Sequence, residues 1–385
     1  MPEAIHPHFY NEACPNMNLN NQNIRWDGFF PPAPRHDASA FAPLHAGKSV
    51  LVTGAGGSIG SALAKTIHGM APRCLVLLDS SEQNLFRMHS GLSQQSGPQR
   101  HVPLLGSVAD ERCLLDLFER YRPQIVYHAA AFKHVPLMEM NPFAVLQNNV
   151  FGTSTLAMVA QRFDAARLIM ISTDKAVNSQ SIMGATKRLA ELVLLGMPAA
   201  RTRMASVRLG NVLASEGSVV PLFSDQIARG GPVTVTHPEV ERYFLTMEET
   251  VHRVLSAAAS CPAEGAIAVP VMGEPVRIAA LAEYLIKQSA AKNIAIAYTG
   301  LRPGDKLRED FVSARESAMA APVDGIFWVH SPRLPDAELA AGLAALTVAL
   351  DDRNLAQLLA TLTRLVPEYE PSDYLRRQTT TAAAT

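Results

Sequence analysis

Val50-Leu51-Val52-Thr53-Gly54-Ala55-Gly56-Gly57-Ser58-Ile59-Gly60 runs from an aliphatic strand through a glycine turn into a helix. Gly54, Gly57 and Gly60 have the G-x-x-G-x-x-G spacing. Glycines let a backbone turn tightly and approach a pyrophosphate, and the helix N-terminus that follows offers unpaired N–H groups and a positive dipole end. Asp79 closes the next strand, 19 residues after Gly60, where an acid would hold a ribose hydroxyl. Its charge would repel a 2′-phosphate, and no arginine follows until Arg87, so the reading favours NAD and leaves NADP open. The alternative for the turn alone is an ordinary glycine-rich strand-to-helix loop.

Working outward, short β-branched or aliphatic runs alternate with helical stretches. The runs are Ser49–Thr53, Cys74–Leu78, His101–Leu105, Gln124–His128, Arg167–Ser172 and Ala205–Leu209, with helix-like segments such as Ser61–His68 and Arg112–Tyr121 between them. Six strands in this alternation predict an α/β fold: a Rossmann doubly wound parallel sheet with a smaller C-terminal substrate lobe. The division expected is an irregular leader over 1–47, the dinucleotide-binding domain over 48–210 and the substrate lobe over 211–335. Within that lobe, 247–259 is expected to pack back on the first domain. The leucine periodicity beyond Pro335 predicts helices over 336–375, and 376–385 reads as a disordered tail. In the leader, Phe29-Phe30-Pro31-Pro32 reads as a packing anchor.

Composition removes several classes of function. The chain has 385 residues, 48% hydrophobic and 18% charged, with a net charge of −1 and no basic stripe of the kind nucleic acid requires. No run approaches the ~18 apolar residues of a membrane span, and residues 1–34 lack the basic and apolar regions of a secretion signal. Cys14, Cys74, Cys113 and Cys261 form no C-x-x-C pair, which argues against a metal site or a disulfide framework and suits a reducing cytoplasm.

The chemistry is carried by Ile171-Ser172-Thr173-Asp174-Lys175-Ala176-Val177-Asn178, followed by Ile182-Met183-Gly184-Ala185-Thr186-Lys187. The first part begins at a strand's carboxyl end, and the second enters a helix near Gly184. Together with His128–Pro136, Asn149–Thr153, Arg208–Leu213 and Thr299–Leu307, these stretches are similar to the extended short-chain dehydrogenases/reductases. Within that superfamily they resemble the polysaccharide-biosynthesis group of UDP-N-acetylglucosamine 4,6-dehydratases, in the branch with methionine where a catalytic tyrosine is usual. The resemblance runs from about Lys48 to Tyr369. Longer relatives begin with a membrane domain, of which this chain shows no trace.

The resemblance implies a soluble, homo-oligomeric enzyme with tightly bound NAD(P) that oxidises C4 of a UDP-sugar, eliminates the C6 hydroxyl and reduces C6 with the stored hydride. It implies catalytic roles for Thr173, Asp174, Lys175, Met183 and Lys187. Cofactor contacts would come from Gly54, Gly57, Ser58, Ile59, Gly60, Asp79, Ser80, Val108, Ala129, Ala130, Ala131, Lys133, Asn149 and Lys187. Substrate contacts would come from Lys133, His134, Asn211, Ser218, Val219, Val220, Phe223, Arg242, Arg302 and Glu309. In this scheme the two arginines hold the diphosphate, Val219, Val220 and Phe223 pack on uracil, and Glu309 holds the ribose.

Related dehydratases place a glutamate base where this chain has Lys175, beside an aspartic acid that protonates the leaving hydroxyl. A lysine base must be partly neutral, so its pKa must fall through burial or neighbouring positive charge, with Lys187 and an oxidised nicotinamide as candidate sources. Blander roles remain open: a surface ion pair for Asp174-Lys175, a solvated helix lysine for Lys187, a strand cap for Thr173, core packing for Met183, structural ion pairs for the arginines and a polar wall for Lys133 and His134. Three positions depart from the group's pattern: Ser107 stands for an aspartate, Ser179 for a proline and Ala62 for a glutamate. The competing readings are a UDP-sugar 4-epimerase, a C5-inverting dehydratase and, more remotely, a non-catalytic NAD(P)-binding regulator.

Overall fold

The computed structural model describes residues 24–26, 29–30, 37–94, 100–198, 200–289, 291, 293–319 and 324–382. The first six strands are β1 (Ser49–Thr53), β2 (Cys74–Asp79), β3 (His101–Leu105), β4 (Ile125–His128), β5 (Arg167–Thr173) and β6 (Arg203–Leu209). They pair in parallel in the order β3-β2-β1-β4-β5-β6. Most are buried along their length because helices cover both faces. Leu63, Ile67, Leu85, Met88, Val254 and Leu255 build the core on one face; Leu114, Phe118, Leu156, Ala160, Ala190 and Leu194 build it on the other.

Three pairs of short strands belong to the smaller lobe: β7 (Asn211–Val212) with β10 (Phe244–Leu245), β8 (Val233–Val235) with β13 (Ile296–Tyr298), and β9 (Glu241–Arg242) with β12 (Val276–Arg277). This lobe has its own core of Val220, Phe223, Ile227, Val235, Leu281 and Leu285, on which Ile24, Trp26 and Phe29 also pack. Phe29 and Phe30 stack near Tyr284 and Phe244, while Pro31, Pro32 and Cys14 lie outside the described residues.

The boundaries differ from expectation in three places. β11 (Ala266–Pro270) and β15 (Ile326–His330), with the short β14 (Ser317–Ala318), return from within 211–335 and extend the large sheet beyond β6. β11 is buried along its whole length and pairs in parallel with β6, where the sheet is covered on both faces. The leader ends in two helical turns, Ala38–Phe41 and Ala42–His45, anchored by Phe41 in the sheet's core. Residues 376–382, part of the stretch read as a disordered tail, continue a helix, Asp373–Ala382, which Leu375 fixes in an apolar cluster. The helix Met247–Ser260 lies against β5, β6 and the helix Ser58–His68.

A buried ionic network fastens these pieces together. Arg208 donates to both oxygens of Glu191 (3.0 and 2.8 Å), to both of Glu316 (2.7 and 2.8 Å) and to the Phe311 carbonyl at 2.7 Å. Arg188 adds bonds to Glu191, Ser331 and Glu368, and Ser172 donates to Glu191 at 2.7 Å. Burial alone would raise the Glu316 carboxyl, but the hydrogen bond and charge of Arg208 outweigh it and hold the group at about 2. Removing one partner of such a network strands the others. Arg208→Leu is therefore expected to cost about 3–5 kcal/mol in urea denaturation. Arg229→Ala, in an exposed pair with Asp225, should stay within about 0.5 kcal/mol of wild type.

Candidate active site

The strand order reverses between β1 and β4, and the carboxyl ends of β1, β4 and β5 open onto the same edge of the sheet, where a doubly wound fold takes its ligand. Gly54 leaves β1 with φ +64°, and a Cβ there would lie 2.6 Å from the Ala130 nitrogen. A Cβ on Gly60 would lie 2.0 Å from the Gly54 carbonyl oxygen, so both positions are closed to side chains. No side chain caps the helix that begins at Ser58, which leaves its first N–H groups to an anion. Asp79 accepts from the Gly56 and Ser81 N–H groups, both at 2.8 Å, and so braces the turn. These features fit a dinucleotide.

The other expected cofactor residues divide by position. Ser80 is exposed beyond Asp79, and Ala129, Ala130 and Ala131 are half-buried where the chain leaves β4. Ile59 packs on the sheet's core. Val108 is buried against Gly152, its side chain part of the core. Asn149 is fully buried; it accepts from the Phe132 N–H and donates to the Phe132 carbonyl, which clamps the loop after β4. Lys133 donates to the Glu216 carbonyl, the Glu216 N–H donates to Ser58, and His134 touches Gly217. The expected substrate loop is thus drawn across the glycine turn.

At the end of β5, Asp174 is fully buried. Its Oδ1 accepts from the Thr173 hydroxyl and from Lys175 Nζ, both at 2.9 Å, while its Oδ2 is buried with no hydrogen-bond partner among the described residues. Lys175 also donates to Asn211 Oδ1 at 3.2 Å and lies 3.9 Å from Glu309. Burial alone would push this ammonium down, but the Asp174 and Glu309 carboxylates outweigh it and hold Lys175 above the usual lysine range. This corrects the expectation of a lowered Lys175.

Burial lowers Lys187 to about 8, with only partial opposition from Glu191, and lowers Lys133 as well. Met183, one turn before Lys187, is buried among Val135, Met138, Ile182 and Leu189. Ser181 caps this helix, and Gly184 lets it approach the Asp174–Ala176 turn: a Cβ there would lie 2.1 Å from the Lys175 carbonyl oxygen. Ser179, in the place of a proline, donates to that carbonyl or to that of Ser181.

Several substrate assignments change in the folded chain. Val220 and Phe223 are buried in the smaller lobe's core and present no face to a base; Val219 is only half-buried beside them. Arg242 gives its guanidinium to the carbonyls of Glu241, Lys306 and Leu307, so it braces a loop. Arg302, its side chain 55% exposed, pairs with Asp305. Glu309 is a buried carboxylate among Lys175, Arg242 and Lys306, ill placed for a ribose. Ser218 precedes the helix Val219–Ala228 with its hydroxyl buried and unpartnered among the described residues. Two contributors escaped the sequence reading although they lie in the quoted Thr299–Leu307 stretch. Gly304, at φ +80°, approaches Ser181 where a Cβ would clash, and Lys306 donates to the Val177 carbonyl.

Fold and site define an extended short-chain dehydrogenase/reductase. The chain belongs to the polysaccharide biosynthesis protein family, whose profile matches residues 50–331. It is 45% identical over 274 residues to the capsular polysaccharide biosynthesis protein CapD of Staphylococcus aureus, covering 70% of this chain and 46% of CapD. It is 30% identical over 299 residues to an inverting UDP-N-acetylglucosamine 4,6-dehydratase of Campylobacter jejuni, covering 76% of this chain and 86% of that protein. The chain spans about half the length of the first curated relatives it matches. Among solved structures, Pen from Bacillus thuringiensis superposes with a TM-score of 0.69 at 27% identity, over 74% of this chain and 90% of that one. No helix among the described residues is long and apolar enough to cross a membrane.

The state of Lys187 is open to measurement. Its folded value of about 8 lies below the ordinary 10.5, so the unfolded chain binds more protons between those values and stability must rise with pH there. The penalty, about 3 kcal/mol, is full below pH 8 and gone above 10.5. Urea denaturation from pH 7.5 to 10.5 should show wild type gaining on Lys187→Met; parallel curves would mean that Lys187 keeps an ordinary pKa.

Proposed function

We propose that the chain is a NAD-dependent sugar-nucleotide 4,6-dehydratase acting on UDP-N-acetylglucosamine or a close UDP-sugar, with retention at C5. The observation that carries the reading is the Asp174–Lys175 pair: two proton-exchanging groups 2.9 Å apart at the carboxyl end of β5, with one carboxylate oxygen buried and unpartnered among the described residues. A simple epimerisation at C4 needs no such pair, whereas an elimination must remove a proton from C5 and deliver one to O6. Family membership and the named activity of the Campylobacter relative support the same reaction class. Asp79, with no arginine following it before Arg87, favours NAD over NADP.

The glycine turn would hold the dinucleotide by its pyrophosphate, and the bound group would supply a reversible hydride acceptor, so that oxidation at C4 and reduction at C6 cancel within a turnover. In this reading Lys187 holds the nicotinamide ribose and accepts the C4 hydroxyl proton, directly or through water, since Met183 has no proton to exchange. At rest the pair is an ammonium and a carboxylate. Transfer of one proton from Lys175 to Asp174 makes a neutral amine and a carboxylic acid. The amine takes the C5 proton, the acid protonates O6, the C6–O bond breaks, and water leaves with both groups back in their resting states. Lys175 then gives its proton to C5, on the face that fixes the configuration, and the cycle closes when Lys187 releases the proton it took from O4 and Lys175 regains one. Asn211 and Glu309 hold the lysine head in place. The Ser218 hydroxyl and the helix start behind it suit a diphosphate oxygen.

Incubation with UDP-N-acetylglucosamine should give a product lighter by one water, with no free NADH accumulating. A product of unchanged mass would instead mark an epimerase. Lys175→Ala and Asp174→Asn should each lower kcat by about 10²–10⁴-fold without unfolding the chain. Lys187→Ala should lose most activity, and Met183→Ala should keep a substantial part; the reverse order would refute this division of roles.

A further inference from the structure

The helix Ile182–Gly196 begins in a buried environment, where each of its first N–H groups needs an acceptor. Ser181 Oγ takes the Gly184 N–H at 3.1 Å. The Ile182 N–H goes to Glu139 Oε1 at 2.7 Å, a carboxylate on a different helix and only 2% exposed. The other oxygen of Glu139 accepts from the Ser372 hydroxyl, which in turn accepts from the Leu375 N–H. Burial raises the Glu139 carboxyl, and the bonds from Ser372 and Ile182 oppose that rise.

Ser372 is one of three attachments from the same short segment. The Glu370 N–H donates to the Ser179 carbonyl at 2.9 Å, and Glu368 accepts from Arg188 at 2.9 Å. Tyr369 and Leu375 are buried in the apolar cluster that contains Met183. Residues 368–372 therefore bind the loop before the catalytic helix, its first turn through Glu139, and its second turn through Arg188. The family profile ends at residue 331, so these contacts come from outside the matched region.

We propose that Glu139 and the Glu368–Ser372 strap are positioning elements that hold the first turn of helix 182–196, and with it Met183 and Lys187, in working register. A charged acceptor at a helix N-terminus is favoured by the helix dipole. Its second oxygen, tied to Ser372, keeps it from turning away from Ile182. Loss of that tie leaves the buried N–H of Ile182 without a fixed partner and lets the turn that precedes Lys187 shift.

The test uses the full chain with Ser372→Ala, Ser372→Thr and Glu139→Gln, read by hydrogen exchange, NAD+ affinity and kinetics. In Ser372→Ala the amides of Ile182–Lys187 should exchange about five- to tenfold faster, the scale of one lost hydrogen bond, while β1 and β4 keep wild-type protection. The kinetic arm rests on the dehydratase reading: kcat should fall by about tenfold or more with KM within about twofold, and Ser372→Thr should restore it. Unchanged exchange at Ile182–Lys187 in folded Ser372→Ala and Glu139→Gln would overturn the proposal. So would faster exchange spread evenly over the whole chain. Exchange and NAD+ affinity need no sugar chemistry, so inactivity of the wild type towards UDP-sugars would count against the function and leave this test standing.

Discussion

Arg208 cannot leave its place without stranding two buried carboxylates, and each of those carboxylates belongs to a different part of the chain. Glu191 lies on the helix that carries Lys187, Glu316 follows the loop that carries Glu309, and Arg208 itself lies on β6. Taking such ions out of water costs several kcal/mol each, which only good geometry and full hydrogen bonding can offset. Both conditions hold here, with a fork of donors on each carboxylate and the Phe311 carbonyl taking a further N–H. Apolar residues of equal volume would serve stability as well; what they would lose is register. Ser172, bonded to the same Glu191, immediately precedes Thr173, Asp174 and Lys175. The network thus sets the end of β5 against the helix of Lys187 with little slack.

The same network explains why two lysines of one site shift in opposite directions. Lys175 faces Asp174 and Glu309, whose charges outweigh its burial. Lys187 has a carboxylate within range, Glu191, but that group's oxygens are already held by Arg208, Arg188 and Ser172. A carboxylate saturated by two guanidiniums gives little support to a third cation, so burial prevails. His128, also buried and driven down to about 3 by burial and by Lys187, adds no charge of its own. Sites that separate the pKa values of like groups can assign them different tasks at one pH.

The parts that sequence made legible are those whose signal is local. The six strands are continuous apolar runs, and the glycine turn is required by backbone approach at Gly54 and Gly60. β11 is the same kind of run, yet the connection from β6 passes through four short strands and a helix of the smaller lobe before the helix Met247–Ser260, so the alternation that identifies a doubly wound sheet is lost. Val220 and Phe223 lie three apart on one helical face, a spacing that suits a core and a ligand wall equally; only the tertiary structure decides for the core. Glu139 has no local signature, since its partners lie 43 and 233 residues away. The last helix hid behind threonine and alanine because its anchors, Ser372 and Leu375, precede the repetitive stretch.

Met183 and Gly184 show how a site can lose one functional group and keep its geometry. Gly184 sets the helix against the Lys175 carbonyl more closely than any side chain would allow. Met183 then fills apolar space among Val135, Met138 and Leu189, where a hydroxyl would need a partner of its own. In the proposed reaction, proton acceptance therefore passes one turn along the helix to Lys187. A lysine with an ordinary pKa would be neutral in well under a thousandth of molecules at pH 7, whereas one near 8 is neutral in roughly a tenth. That difference sets how often Lys187 is available as a base in the proposed reaction. It depends on Lys187 staying buried and on Glu191 staying committed to its arginines.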